Sequence, residues 1–351
     1  MERSYKVDAI RCLNSRKASS KASLNDMRGS DDMVAWLELS GHSIEDLNHL
    51  NVIHVAGTNG KGSTCAFAAS FLKAYGNDTG YPQKIGLYTS PHMRSIRERI
   101  QINGEPISES SFTTRFFELW DKLPDQATPT LDIPRYLQLL ALLSFHVFIE
   151  EKVDVAIYEA HLGGEFDATN IIKQPLVTAI SSIAMDHVNL LGPTIQDIAW
   201  HKAGIFKPGA LALSTSQEAE VAKVLEERAA EKGILLAFVD VISKLPSSLI
   251  ALNPRAQQAN CSLALRAVRT WLSIKSPHRQ DRMEENIVRG IEQFSWPGRY
   301  QQINQQKYRW YLDGAHNESS LQYTVEWFAE AARWLDVYVI SHTADSRLIL
   351  S

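Results

Sequence analysis

Short apolar runs that alternate with helical patterns constrain this chain more than any other feature. NVIHVAG (51–57), KIGLYTS (84–90), VDVAIYEA (153–160) and LVTAISSI (176–183) read as strands. The last two are apolar on both faces, which a parallel sheet covered by helices requires. Between and after them, residues 63–76, 136–151, 218–232 and 254–271 read as helices, the first closed by Gly76. Strand, loop and helix in alternation predict a doubly wound, mostly parallel α/β domain.

With 351 residues the chain exceeds what one core usually organises, so a large unit plus a smaller one is expected. A composition of 44% apolar and 22% charged residues excludes global disorder and a membrane protein. Thirty-six basic against 40 acidic side chains give a net charge of −4, which argues against a protein that lives on nucleic acid. Phosphate, if bound, must be bound by a local site. Cys12, Cys65 and Cys261 are too few and too far apart for a disulfide framework or zinc knuckle, and they point to a reducing compartment. Residues 1–23 lack the apolar core of a secretory signal and are ambiguous as an organelle-targeting segment. They read as a helix followed by a loop. A Pro-Gly break in SWPGRYQQI (295–303) precedes fresh short strands such as YRWYLDG (308–314), so the boundary is expected near Trp296, dividing 1–296 from 297–351. The second unit is then well short of the ~100 residues typical of an independent α/β domain.

The sharpest motif is HVAGTNGKGST (54–64), set between a strand and a helix. Gly57, Gly60 and Gly62 let the backbone turn tightly and approach an anion. The helix that follows offers unpaired N–H groups to phosphate, and Lys61 adds a point charge. The strict P-loop spelling is not met, because Gly62 separates Lys61 from Ser63. A ligand-free glycine turn is the competing reading, and a lysine embedded among three glycines at a helix start weighs against it.

GTNGKGS resembles the phosphate loop of the Mur-ligase-like ATP-dependent amide ligases, particularly the folylpolyglutamate synthase family. The resemblance continues in order through LYTSPHMRSIRERIQINGEPIS (87–108), LGGEFDATN (162–170), MDHVNLLGPTIQDIAWHKAGIFKPG (185–209), WPGRYQ (296–301) and LDGAHN (312–317). Six ordered motifs cover most of the chain, and their spelling is most similar to the eukaryotic, fungal branch. The fold implied is a Mur-ligase-like central domain followed by an incomplete, Rossmann-like C-terminal domain.

The resemblance assigns roles residue by residue. Thr58, Asn59, Gly60, Lys61, Gly62 and Ser63 would hold ATP, with Asn260, Arg299, Asp313 and His316 as further nucleotide contacts. Ser90, Glu159 and His187 would be the metal-side residues, with Asp186 structural. Lys202 matches a lysine found carbamylated in the family, which turns a cation into an anion near the metal. From the residues alone, Glu159 ends an apolar strand at the carboxyl end, where doubly wound sheets place ligands. A carboxylate there can hold Mg²⁺. His187 alone would pass as a structural histidine, Lys202 as a surface lysine and Asp313-Gly314 as a turn. Lys61, Glu159, His187 and Lys202 are the expected catalytic set.

Three positions depart from the family's pattern. His161 and Ala184 stand where glycine is usual, and Asn59 where the eukaryotic branch usually carries lysine. If position 161 needed a positive φ, histidine would be strained there. After residue 342 the sequence leaves the family's course and ends in TADSRLILS, so a shortened C-terminal unit, or one completed by another chain, is expected.

The resemblance implies ligation of L-glutamate to the γ-carboxyl of folate polyglutamates through an acyl phosphate. ATP and Mg²⁺ would be required, with a monovalent cation beside them. The open alternatives are a ligase for another acid, such as dihydropteroate or a specialised metabolite, and a nucleotide-binding paralogue impaired in catalysis. The expected partners are a folate-like acid, glutamate and ATP, with no nucleic acid and no membrane span. The chain is expected to be a monomer of the cytoplasm, with a mitochondrial form as the alternative.

Overall fold

Six parallel strands form the centre of the molecule, and their order sets where a site can lie. In the computed structural model the described residues are 3–17, 30–128, 131–242, 252, 254–278, 283–306, 308–332, 339–340 and 349–350. The strands are β1 (Ile53–Ala56), β2 (Ile85–Tyr88), β3 (Ile100–Ile102), β4 (Glu105–Pro106), β5 (Val155–Glu159), β6 (Val177–Ile180), β7 (Leu211–Thr215) and β8 (Leu236–Val239). They form one sheet in the order β4-β3-β2-β5-β1-β6-β7-β8. β2, β5, β1, β6, β7 and β8 run parallel, while β3 and β4 add an antiparallel edge. β1 is central, flanked by β5 and β6, and every residue of these three strands is buried. Continuous burial on both faces explains their mostly apolar spelling, which His54, Glu159 and Thr178 interrupt.

The helices are α1 (Ile10–Ser15), α2 (Ser30–Leu39), α3 (Ile44–Asn48), α4 (Lys61–Thr79), α5 (Glu109–Trp120), α6 (Tyr136–Glu150), α7 (Val188–Leu191), α8 (Ile195–Lys202), α9 (Ala219–Glu231), α10 (Arg255–Lys275), α11 (Met283–Glu292) and α12 (Glu318–Ala331). α6 is buried at every position from Leu139 to Phe148, so it needs no polar face. α10 instead buries Cys261, Leu265, Val268 and Leu272, one stripe at helical spacing. That stripe shares a core with α4 and α11 on one side of the sheet, while α2, α5 and α6 build a second core.

α4 corrects one sequence expectation. The helix does not close at Gly76 but runs on to Thr79, capped by Gly80 at φ 82°. Gly76 is there for closeness: a Cβ on it would sit 2.0 Å from the carbonyl oxygen of Pro82. Short pieces over Tyr5–Ala9 and Ile10–Ser15 supply the expected N-terminal helix, and residues 18–23 of that expectation lie outside the described residues.

Beyond Trp296 the backbone leaves the large sheet. β9 (Gln301–Gln305) and β10 (Tyr308–Leu312) pair antiparallel as a separate hairpin, and α12 packs on it through Tyr311, Trp327 and Phe328. Ile303, Tyr308, Trp310, Leu312, Leu321, Tyr323 and Val325 remain exposed on these elements. A last antiparallel pair joins β11 (Val339–Ile340) to β12 (Ile349–Leu350). The rest of the divergent tail, 343–348 and 351, lies outside the described residues. Among the described residues no helix is long and apolar enough to cross a membrane. All three cysteines are free, Cys65 and Cys261 buried and Cys12 half-buried.

Candidate active site

The loops after β1, β2, β5, β6, β7 and β8 all leave the carboxyl ends of parallel strands and open on one cleft of about 500 Å³. This is the location that strand reversal around a central β1 favours. The residues that lead into β9, Arg299 and Tyr300, those that follow β10, Asp313 to His316, and the start of α12 close its far side. Thr58, Asn59, Gly60, Lys61, Gly62, Ser63, Ser90, Glu159, His187, Asn260, Arg299, Asp313 and His316 all line it. Of the sequence-derived candidates only Lys202 does not.

The glycine loop is shaped by close neighbours. Gly57 has φ 147°, and a Cβ there would lie 2.0 Å from Ser181 Oγ. Gly60 caps α4 in the left-handed region, φ 87°, with room for no Cβ because Asn260 Oδ1 would be 2.1 Å away. The backbone N–H groups of Thr58 and Asn59 both donate to the Ser182 carbonyl, at 2.8 and 3.1 Å, which fastens the loop to the segment after β6. Lys61 is the first residue of α4, and its Nζ donates to the Thr58 carbonyl at 3.1 Å. Its ammonium therefore lies back over the loop at the positive end of a 19-residue helix, an arrangement suited to an anion.

Glu159, 3% exposed, ends β5 opposite this loop. Its Oε2 accepts from Thr89 Oγ1 and from the backbone N–H of Ser90 at 3.0 Å. Its Oε1 accepts no bond from the described residues, and none of their lysine, arginine or histidine side chains forms an ion pair with it. A buried carboxylate without a counter-charge is costly, so the geometry suits a cation bound from the cleft. Ser90 and His187 line the same space. Oxygen donors from Ser90 and Glu159 match a hard divalent ion such as Mg²⁺, with His187 as a softer third donor.

His187 sits at φ 50°, a left-handed conformation in which a non-glycine residue stores strain. Its backbone N–H donates to Asp186 Oδ1 at 2.9 Å, and Asp186 Oδ2 lies 3.6 Å from its Nε2, a charge contact beyond hydrogen-bond distance. Burial lowers its pKa first; Asp186 opposes this, and Lys202, Lys61 and His316 add to it. A neutral ring is the form that can ligate a metal.

Lys202 lies behind the glycine loop, 3% exposed, its Nζ donating to the Gly57 carbonyl at 2.7 Å. Burial pushes its pKa well below the ordinary value, and Lys61 pushes the same way. The sequence alternative of a surface lysine is thereby excluded.

On the far side, Asp313 works as a clasp: Oδ2 accepts from Tyr300 N–H at 2.8 Å, and Oδ1 from Ala315 N–H and Thr324 Oγ1 at 2.8 and 2.9 Å. Arg299 crosses directly over Gly314, where a Cβ would fall 1.7 Å from its Nη1. His316 Nδ1 is 2.9 Å from the Gly314 carbonyl. Asn317 Nδ2 donates to Asn59 Oδ1 at 3.2 Å, joining the start of α12 to the glycine loop. Asn260 holds its side chain through Gln257 Oε1, 3.0 Å from its Nδ2.

His161 lines the cleft wall and does not have a positive φ, so the glycine-to-histidine change carries no backbone strain. Its Nε2 is 2.6 Å from Tyr88 Oη and its Nδ1 3.6 Å from Asp167 Oδ2. Ala184, likewise without a positive φ, exchanges two bonds with Thr58 Oγ1. Sequence reasoning missed Thr89, Asn317 and the Ser182 carbonyl. The first two stand inside the motifs TSPH and GAHN, one residue from a chosen candidate in each case.

No family model matches the chain. A folylpolyglutamate synthase of Neurospora crassa is 41% identical over 339 residues, covering 92% of this chain and 64% of that protein. The chain is similar to folylpolyglutamate synthases over 92% of its length. A mitochondrial folylpolyglutamate synthase of Bos taurus is 37% identical over 356 residues, covering 92% of this chain and 60% of its own length. The chain thus spans somewhat under two thirds of these family members. A solved structure described as an FPGS–AMPPCP–folate complex superimposes with a TM-score of 0.79 at 25% identity, covering 94% of this chain and 81% of that one.

Proposed function

We propose that this chain carries the ATP site of an acid–amino-acid ligase that joins L-glutamate to the γ-carboxyl of a folate polyglutamate. The observation that carries the reading is the meeting of Lys61 at a helix start with the buried, unpaired Glu159 across one cleft. Glutamate ligation to folates is the activity for which the similar relatives are named, and the solved neighbour holds an ATP analogue with folate.

In this reading the backbone N–H groups at the start of α4 and Lys61 cradle the outer phosphates, and Arg299 grips them from the hairpin side. Asn260, Asp313 and His316 border the nucleoside. Ser90, Glu159 and His187 would hold Mg²⁺, which when bound supplies charge neutralisation on the transferring phosphoryl group. A carboxylate oxygen of the acid forms a bond to the γ-phosphorus as the bond to ADP breaks. The glutamate amine then attacks the acyl carbon, loses a proton, and expels phosphate. Both steps need anions positioned and shielded, which the loop, Lys61 and Arg299 do without a protein nucleophile. Burial, which pushes the Lys202 pKa well below the ordinary value, favours loss of its proton, and the amine so formed can add CO₂ and lose a second proton, giving the carbamate that the family resemblance implies. Residues 1–296 would form the ATP- and acid-binding unit and 297–351 the start of the glutamate-side unit. The chain would act as a monomer in the cytoplasm, where three free cysteines are at ease, or in mitochondria as the bovine relative's name indicates.

A second reading, a ligase for a different acid, is supported by one feature: His161 fills the cleft wall with an imidazole. The test is ADP release from Mg-ATP over tetrahydrofolate, dihydropteroate and non-folate acids, each with and without L-glutamate. Release that needs both tetrahydrofolate and glutamate and vanishes in Lys61→Ala is expected. Release with another acid alone would transfer the assignment to the second reading. No acid- and amine-dependent release at all would overturn both.

A further inference from the structure

At the end of the molecule away from the cleft, before β5 begins, α6 ends with His146 and Glu150 one helical turn apart. His42, in the link between α2 and α3, reaches over them. Donor atoms of His42, His146 and Glu150 all lie within 4.8 Å of one another, and His42 Nε2 is 2.7 Å from His146 Nδ1. None of these residues belongs to the cleft.

The surroundings fix the chemistry of the pair. His146 is 4% exposed, and its Nε2 lies 2.9 Å from Glu118 Oε2. Because an ionised carboxylate only accepts, His146 carries its proton on Nε2 and keeps a lone pair on Nδ1, aimed at His42. Arg115 Nη1 donates to Glu118 Oε2 at 2.9 Å and to Glu150 Oε2 at 3.2 Å, holding both carboxylates in place. A carboxylate behind a histidine orients metal-ligating imidazoles, and the opposite ring nitrogen, Nδ1, here accepts from His42 Nε2–H, the bond that a metal ion would replace. Burial lowers the pKa of both histidines, which keeps them in the neutral, ligating form.

We propose that His42, His146 and Glu150 form a transition-metal site of the zinc class, two imidazole nitrogens and one carboxylate oxygen, with the fourth position open to solvent. Two nitrogens bound tetrahedrally at about 2.0–2.1 Å stand roughly 3.3 Å apart, so the pair must open by about 0.6 Å. His42 is half-buried on a short link and can supply that movement. The N₂O donor set favours Zn²⁺ or Co²⁺ over Mg²⁺ and Ca²⁺, which prefer oxygen alone. Arg115 and Lys122 bring positive charge near the pair, which opposes a divalent cation and weakens its binding. Bound metal would staple the link between α2 and α3 to α6.

The test uses tag-free, metal-free protein titrated with ZnCl₂ by calorimetry and with CoCl₂ by visible absorption. One equivalent is expected, with tetrahedral Co²⁺ bands and a rise in Tm. His42→Ala and Glu150→Gln, both at accessible positions, should each weaken binding at least tenfold and abolish the bands. His187→Ala, in the cleft, should leave this equivalent intact. Zinc binding unchanged in His42→Ala and Glu150→Gln, binding lost in His187→Ala alone, or no binding at 100 μM metal would each overturn the proposal.

Discussion

Replacing Glu159 by glutamine should make the protein more stable and nearly inactive, a combination that few substitutions produce. The side chain is 3% exposed, its Oε2 serves Thr89 Oγ1 and Ser90 N–H, and it has no cationic partner among the described residues. Glutamine keeps the volume and one oxygen for both donors while deleting the charge. An unsatisfied buried polar group costs about 1–3 kcal/mol, and a charge costs more, so relief of about 2 kcal/mol is expected without metal. At about 2 °C per kcal/mol for a chain of this size, Tm in EDTA should rise by roughly 4 °C. Mg²⁺ should raise the wild-type Tm and leave that of Glu159→Gln unchanged. Acid-dependent ADP release should fall by roughly 10²–10³-fold, the usual cost of deleting one electrostatic stabiliser of the reacting phosphate. Differential scanning fluorimetry with and without EDTA, alongside a coupled ADP assay, measures all three. A fall in Tm in EDTA would mean that the carboxylate is a structural anchor, and ADP release within tenfold of wild type would remove it from the metal side.

Gly314→Ala should fold with Tm within about 2 °C of wild type, because its Cβ meets only the movable end of Arg299, yet bind an ATP analogue about tenfold more weakly in calorimetry. His161→Ala should lose about 1–3 kcal/mol in urea unfolding, since the buried Tyr88 Oη then lacks its partner. His54 is fully buried with its pKa pushed down to about 3 by burial. Thr169 Oγ1 gives its proton to Asp167, so His54 Nε2–H must donate to it, and Nδ1 is left without a partner among the described residues. Between pH 6.5 and 3 the unfolded chain binds a proton that the folded chain refuses. Stability is therefore complete above pH 6.5 and falls as pH drops through this window, by up to roughly 4 kcal/mol. A His54→Asn variant should show a flatter Tm profile over that range.

The strands of the sheet centre were legible because burial on both faces makes β5 and β6 mostly apolar, with Thr178 and the strand-ending Glu159 as the polar positions. β8 was not, since Leu236–Val239 is a half-exposed edge whose spelling, LAFV, is too short to stand out. β9 reads QQINQ, polar and exposed, and only its pairing with β10 makes it a strand. Gly76 misled as a helix stop because a glycine demanded by a neighbouring carbonyl looks the same in sequence as one demanded by a cap. The glycine loop was readable since its chemistry is local. Thr89 and Asn317 were not, since what they do depends on Glu159, 70 positions away, and on Asn59, 258 positions away. The exposure of Lys202 also depends on the fold, which brings its amine to the Gly57 carbonyl.

Oxygen transfer from the acid to phosphate tests the central claim most directly. Tetrahydrofolyl glutamate labelled with ¹⁸O in its γ-carboxylate, supplied with Mg-ATP and L-glutamate, should yield ADP and inorganic phosphate that carries one ¹⁸O for each amide formed. Unlabelled phosphate, AMP in place of ADP, or no phosphate release would contradict an acyl phosphate made in this cleft.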